Sequence, residues 1–570
     1  MFLPTTRQET DQLGWDQLDV ILVTGDSYID SPFIGIALIG KVLSHASYRV
    51  GIIAQPDVHS DKDICRLGEP RLFWGVSGGS IDSMVANYTA LKKKRKSDDY
   101  TPGGINDRRP DRATIVYTNL IRRFFKNTRP IVLGGIEASL RRIAHYDFWS
   151  DRIRSSILFD AKANYVLYGM AEKSIIELAD GLKAGNDVQS IRGLCYISNK
   201  TDLARIQDEY IELPSFETVK QDNNALIDMF HTFYQNNDPL TAKGLYQKHG
   251  TRYLVQNPPS PCLTQDEMDA VYALDFERAQ HPYYENQVSV KALQTIRFSI
   301  PTHRGCYGEC NFCSIAVHEG RRVQWRSSES ILKEARQLTR HPDFKGYILD
   351  VGGPTANMYG IECQKKITRG HCRKKRCLYP VVCPLLKADH HKQIELLNQI
   401  RQIKGVKKAF VASGIRYDLL LSDERCGKEY LQTVVNHHVS GQMKIAPEHT
   451  EDKVLHLMGK SGKASLLTFK ELFDQMSHAA GKKQFLTYYL IAAHPGCTEK
   501  DMQNLKRFVS HKLKIYPEQV QVFTPLPSTY SALMYATQMD PFTRKPIFVE
   551  KEPRRKALQK NIVVQKGRAR

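Results

Sequence analysis

The sequence predicts an α/β protein in two parts: an N-terminal open parallel sheet, then a six-unit partial barrel of the TIM type. Three observations carry this. Short apolar runs alternate with helical stretches along both halves, the order that builds parallel sheets with crossover helices. Four N-terminal strand candidates lead into glycine-bearing turns. A cysteine-rich loop directly follows the first strand of the second half, at the strand end where a barrel places its active site.

In the first part, Val20-Ile21-Leu22-Val23-Thr24-Gly25 reads as a strand ending in a turn, residues 33–44 as a helix and 48–54 as the next strand. Residues 72–75 lead through Ser77-Gly78-Gly79-Ser80 to a helix from Ile81. Residues 130–133 precede Gly134-Gly135 and a helix at 137–143; residues 165–168 precede Gly169 and a helix at 171–182. These glycines fall where an open α/β sheet binds ligands, although a tight turn explains each one singly. No G-x-G-x-x-G stands at these turns, so no dinucleotide fingerprint is present. Residues 91–123, with Lys92-Lys93-Lys94-Arg95-Lys96, read as a solvated insertion. Beyond Asn199 the alternation weakens, and Pro258-Pro259-Ser260-Pro261 reads as part of a surface-wrapping linker.

The barrel strands are expected at 296–300, 346–351, 408–413, 442–446, 484–492 and 519–523, with helices between them such as 329–339 and 391–402. The expected organisation is an N-terminal α/β domain over 1–195, a linker over 196–290, a barrel over 291–540 and a basic tail over 541–570 that packs across a domain surface.

Composition narrows the class. With 41% hydrophobic and 25% charged residues, the 570-residue chain is not disordered overall. No apolar run approaches the ~20 residues of a membrane span. The opening lacks the charged-then-apolar order of a signal peptide, so a cytoplasmic, non-membrane protein is expected. Lys and Arg total 81 against 61 acids, a net charge of +20. That fits anionic partners, nucleic acid included, and equally a basic solvated surface. Twelve cysteines in a reducing compartment are not a disulfide framework, so their spacing carries the information.

The spacing is strongest in Cys306-Tyr307-Gly308-Glu309-Cys310-Asn311-Phe312-Cys313. Three thiolates on one short loop can hold three corners of a four-iron cluster and leave the fourth iron open. Structural zinc and closed electron-transfer clusters want four protein ligands. A second group, Cys363, Cys372, Cys377 and Cys383, has enough thiolates to close an auxiliary site, either zinc or iron–sulfur. The run Arg373-Lys374-Lys375-Arg376 lies inside it and would offset thiolate charge. Cys65, Cys195, Cys262, Cys426 and Cys497 read as buried small hydrophobes.

The C-x3-C-x-aromatic-C loop resembles the signature of radical S-adenosylmethionine (SAM) enzymes. Further segments resemble the YgiQ family of radical SAM proteins. They include Leu22-Val23-Thr24-Gly25-Asp26, Gly134-Gly135-Ile136-Glu137-Ala138-Ser139-Leu140-Arg141-Arg142, Ile445-Ala446-Pro447-Glu448-His449 and Phe523-Thr524-Pro525-Leu526-Pro527-Ser528-Thr529. The resemblance implies a cobalamin-binding-like N-terminal domain before a radical SAM barrel. It implies a [4Fe–4S] cluster on Cys306, Cys310 and Cys313, with SAM on the open iron. Reductive cleavage would then yield a 5′-deoxyadenosyl radical that attacks a substrate. It also implies an electron donor such as flavodoxin or ferredoxin.

Cofactor contacts are expected from Phe312 on adenine, from the backbone at Gly352 and Gly353, where Pro354 stands in place of the acid often found in the radical SAM superfamily, and from Ser413 and Arg416 on ribose and carboxylate. Glu448 and His449 are expected on the substrate side. Cobalamin has no histidine ligand in Asp26-Ser27-Tyr28-Ile29-Asp30, which leaves two readings open: binding without a protein cobalt ligand in a crevice beside Gly78-Gly79 and Gly134-Gly135, or an emptied domain kept as scaffold. Later barrel segments also resemble tRNA methylthiotransferases, which makes RNA modification one alternative. A non-catalytic, zinc-stabilised nucleic-acid-binding protein is the other.

Overall fold

The computed structural model describes residues 1–203, 206, 208–285 and 288–564. The end of the expected tail, 565–570, lies outside the described residues. The chain forms two compact units. One comprises Met1–Cys262 with Ala270–Arg297; the other comprises Leu263–Asp269 with the chain from Phe298 onward.

The first unit is built on a nine-stranded sheet. Its parallel part runs Val50–Ala54, Val20–Thr24, Phe73–Ser77, Ile131–Gly134, Tyr165–Leu167 from one edge inward. The first three of these strands are buried along their whole length. Continuous apolar runs of this kind are what a parallel sheet covered on both faces requires. The helix Gly35–His45 buries Ala37, Leu38 and Leu43. The helix Glu172–Ala184 buries Ile175, Leu178 and Ala179, and ends at Gly185 in the left-handed conformation that suits a C-terminal cap. Chain order reverses between Val20–Thr24 and Phe73–Ser77, so this is the sheet's switch point.

The sheet continues through Leu194–Ser198, Arg252–Gln256, Leu245–His249 and Ile211–Leu213. The first three additions are antiparallel to their neighbours. The expected linker over 196–290 is therefore largely structural sheet and helix. Its strands escaped the sequence pattern because polar side chains occupy buried positions: Gln247 and His249 face inward on Leu245–His249. Gln247 is satisfied there by donating to the Pro214 carbonyl at 2.9 Å. The helix Asn223–Gln235 lays Leu226, Ile227, Phe230, Phe233 and Tyr234 into the unit.

The expected solvated insertion is also only partly solvated. Lys92 to Lys96 are exposed, but Asp98, Thr101 and Arg109 are buried. Arg109 reaches the switch point, 2.8 Å from Asp26 and 2.9 Å from Asp98, with all three side chains excluded from water. It also donates to the Gly78 carbonyl at 2.8 Å. The two switch-point turns touch backbone to backbone, since a Cβ on Gly25 would stand 2.3 Å from the Gly78 oxygen. The expected crevice is closed at this point.

The second unit carries six parallel strand positions: Ser299–Pro301, 347–352, Lys408–Ala409, Gln442–Glu448, Phe485–Ala492 and Gln521–Val522. Adjacent pairs are parallel, and a parallel bridge from Ile415 to Ile445 joins the third and fourth. Helices such as Ser328–Leu338, His391–Arg401 and Gly427–His437 pack their apolar stripes on it. The tail contains a helix, Pro553–Val563, whose buried residues are Lys556, Gln559 and Val563. That stripe is mostly polar, which is why no apolar period marked it. Gln559 accepts from the Ala493 amide and donates to the Cys497 carbonyl, and Lys556 donates to the Tyr535 hydroxyl.

Candidate active site

The cysteine loop leaves the first barrel strand through Gly305. Its φ is +81°, and a Cβ there would lie 2.1 Å from the Arg322 carbonyl oxygen, so only glycine fits. The Cys306 amide donates to the Gly320 carbonyl at 3.3 Å and the Cys313 amide to the Cys310 carbonyl at 3.0 Å. Asn311 anchors the loop by donating from its backbone to Met458 and from its side chain to Leu457.

Gly308 is the focal point. A Cβ there would meet the Arg416 guanidinium at 3.1 Å, the Cys306 sulfur at 3.2 Å and the Cys310 sulfur at 3.6 Å. Two thiols and one cation thus converge on one small residue. The Gly308 amide points at the Cys306 sulfur at 3.2 Å, with the Thr355 hydroxyl 3.5 Å from the same sulfur. Arg416 donates to the Cys310 sulfur at 3.5 Å. Burial raises the Cys306 and Cys313 thiols above their ordinary pKa. Metal binding has to displace those protons.

Among the described residues, the group of three potential ligand atoms within 4.8 Å of one another is Asp389, Asp423 and Cys426. The thiols of Cys306, Cys310 and Cys313 are therefore not gathered around a single-ion position. A cuboidal cluster, with each thiolate on a different iron, suits that spread.

Other expected contacts are placed differently. Phe312 packs on the barrel core, edge-on to His494 at 6.3 Å. The Gly352 carbonyl already accepts from the Thr302 amide at 2.8 Å and hydroxyl at 3.1 Å, while Gly353 is backed by His303, whose carbonyl would lie 2.6 Å from an added Cβ. Ser413 gives both its amide and its hydroxyl to Asp350. Arg416 is held on Asp418 at 2.8 and 2.5 Å, which leaves one guanidinium nitrogen toward the cysteine loop. Glu448 sits at a bulge with φ +67° and its carboxylate lies 3.7 Å from Lys460. Burial lifts the Glu448 carboxyl above its ordinary value against the opposing Lys460. His449 is buried, 3.5 Å from the Cys497 sulfur, and burial pushes it down to about 4.

Sequence reasoning missed the acids that organise this site. Glu309, inside the cysteine loop, is buried with Lys366 at 3.1 Å and Arg321 at 3.6 Å. Burial pushes its carboxyl up, but Lys366, Arg321 and Arg376 together bring it below its ordinary value. Its position among thiolates was the available signal. Asp350 gave none, because its partner Ser413 lies 63 residues away, whereas Asp418 stands two residues after Arg416 and its pairing was within local reach.

Of the four later cysteines, Cys363 and Cys377 are buried in one apolar cluster with Tyr307, and Cys383 packs against it; Cys372 is half-buried. No three of the four sulfurs fall within 4.8 Å of one another among the described residues. Cys195, Cys426 and Cys497 are buried as expected of small hydrophobes, whereas Cys65 and Cys262 are partly exposed.

Two family models cover most of the chain: the radical SAM N-terminal model matches residues 2–299 and the radical SAM superfamily model residues 300–509. The chain belongs to the radical SAM superfamily. It is 55% identical to a UPF0313 protein of Fusobacterium nucleatum over 100% of both chains, and 48% identical to a UPF0313 protein of Thermotoga maritima over 99% of both. The YgiQ resemblance stands with this membership. Solved structures of similar fold include the radical SAM methyltransferase TsrM of Kitasatospora setae, determined with tryptophan and a SAM analog. The TM-score is 0.50 at 13% identity, over 90% of this chain and 75% of that one. Another is the cobalamin-dependent radical SAM enzyme OxsB, determined with aqua-cobalamin, at TM-score 0.51 and 12% identity over 93% of this chain and 57% of that one. This radical SAM protein is an enzyme with a [4Fe–4S] cluster and SAM as cofactors, and it needs an electron donor. Membership sets aside the non-catalytic zinc reading. No helix among the described residues is long and apolar enough to cross a membrane.

Proposed function

We propose that Cys306, Cys310 and Cys313 hold the cluster, and that the enzyme removes a hydrogen atom from its substrate at the mouth of the barrel. The observation that carries this is the convergence of the Cys306 and Cys310 sulfurs with Arg416 around Gly308. When bound, the cluster and SAM supply one-electron cleavage of a sulfonium bond, giving methionine and a 5′-deoxyadenosyl radical. The chain's own residues prepare the place. The Gly308 amide and Thr355 hydroxyl steady the Cys306 sulfur, and Arg416 places positive charge beside Cys310. Asp418 holds that guanidinium in one orientation, so the charge is preorganised. Asp350 fixes Ser413 at the third strand's end, where it can meet a sugar hydroxyl. Glu448 and Lys460, both buried and 3.7 Å apart, would stand on the substrate side. A flavodoxin- or ferredoxin-type protein supplies the electron.

Cobalamin in the switch-point crevice does not fit the residues present. Arg109, Asp26 and Asp98 fill it, and a Cβ on Gly135 would already stand 2.6 Å from the Ser77 hydroxyl. No step is assigned to a corrinoid in that crevice. No observation favours RNA over a small substrate.

The test is anaerobic. Reconstituted, dithionite-reduced protein should form 5′-deoxyadenosine from SAM. Cys310→Ala should lose that activity. Retained 5′-deoxyadenosine formation in Cys310→Ala would overturn the ligand assignment.

A further inference from the structure

Four cysteines outside the SAM loop remain without a role: Cys363, Cys372, Cys377 and Cys383. Their segment is fastened to the SAM loop at three points. The Tyr307 hydroxyl donates to the Ile361 carbonyl at 3.3 Å, two residues before Cys363. Lys366, three residues after Cys363, donates to the Glu309 carboxylate at 3.1 Å and to the Arg321 carbonyl at 2.7 Å. Arg376, one residue before Cys377, donates to the Glu309 carbonyl at 3.0 Å. Glu309 lies between Cys306 and Cys310, so the two cysteine groups share one rigid wall.

Three thiols of this segment, Cys363, Cys377 and Cys383, share an apolar lining, with Cys372 half-buried elsewhere in the segment. Cys363 and Cys377 join Tyr307, Ile361, Leu378 and Leu386 in one buried cluster, with Cys306 and Cys383 packed on it. The Cys383 amide donates to the Cys377 carbonyl at 2.8 Å, which closes the loop between them.

Geometry decides the metal. Zinc at ~2.3 Å from four thiolates in a tetrahedron draws their sulfurs to about 3.8 Å of one another. No three of these sulfurs lie within 4.8 Å of each other, and the same is true of Cys306, Cys310 and Cys313, the ligands proposed for the known [4Fe–4S] cluster. A polynuclear cluster spreads its thiolates over separate irons and does not require sulfurs so close together. We infer that Cys363, Cys372, Cys377 and Cys383 hold a second iron–sulfur cluster, ligated by four thiolates, against the wall of the first. Four protein ligands leave no open iron, so the second cluster does not bind SAM in the manner of the first. Lys366 and the exposed run Arg373-Lys374-Lys375 bring positive charge to offset four thiolates.

The experiment uses the full chain. Anaerobic reconstitution with ferrous iron and sulfide should load about eight irons and eight sulfides per chain, two [4Fe–4S] clusters. The Cys306→Ala/Cys310→Ala/Cys313→Ala variant should keep about four of each and give the electron paramagnetic resonance of a reduced cluster unmoved by SAM. Cys372→Ala, which spares the SAM loop, should cut the wild-type load by about half. Wild-type protein that saturates at about four irons overturns the inference, whether it holds no further metal or one zinc without added sulfide. Because the wild-type count stands alone, misfolding of a variant does not rescue the idea. Loss of SAM cleavage with eight irons present would instead count against the proposed function.

Discussion

Arg109 spans the carboxyl edge of the N-terminal sheet and meets Asp26 at 2.8 Å, with neither side chain reached by water. Asp98 takes its other face at 2.9 Å. Burying three charges is costly, and their mutual attraction repays it only while all three are present. Arg109→Met should destabilise the protein by about 3–5 kcal/mol, because it strands two buried carboxylates. Urea denaturation checks this. A loss below about 1 kcal/mol would mean water already screens the group.

The same plug governs cobalamin. Wild-type protein mixed with hydroxocobalamin and desalted should show no corrinoid in its visible spectrum. Stoichiometric retention that Gly135→Trp abolishes would mean the crevice opens in solution.

Lys366 and Glu309 form the buried tie behind the SAM loop. Lys366→Met leaves the Glu309 carboxylate with Arg321 at 3.6 Å and should cost about 3–5 kcal/mol. Reconstituted iron per chain should fall with it. The double variant Lys366→Met with Glu309→Gln should recover much of the stability, since the stranded charge is gone. Equal losses in single and double variants would deny the coupling.

Six buried histidines set the acid limit. Burial pushes His145, His249, His303, His438 and His449 down to about 4, and His494 to about 3. Below the ordinary value near 6.5 the unfolded chain binds protons that the folded chain excludes. Stability is therefore full above about pH 6.5 and should fall as pH drops toward 4. Denaturation midpoints measured from pH 7.5 to 4.5 should decline, and His438→Gln should flatten the slope by about one proton. A pH-independent midpoint would show these rings titrating normally.

The alternation of apolar runs and helices sufficed for the parallel sheet and for the barrel, because both-face burial writes itself as continuous hydrophobic stretches such as Val20 to Thr24. The spacing of Cys306, Cys310 and Cys313 carried the chemistry, because three ligands on one loop are a local property. Tertiary structure decided what depends on partners distant in the chain. Gln247 and Lys556 are polar at buried positions, and only their distant acceptors make those positions tolerable, so the added strands and the final helix left no periodic trace. Arg109 lies in a stretch beside exposed lysines, and nothing within 80 residues of Asp26 says which of its basic residues fills the crevice. Hydrophobic pattern and ligand spacing are short-range and legible; the pairing of buried charges is a long-range choice, made by whichever partners the folded backbone brings within hydrogen-bond reach.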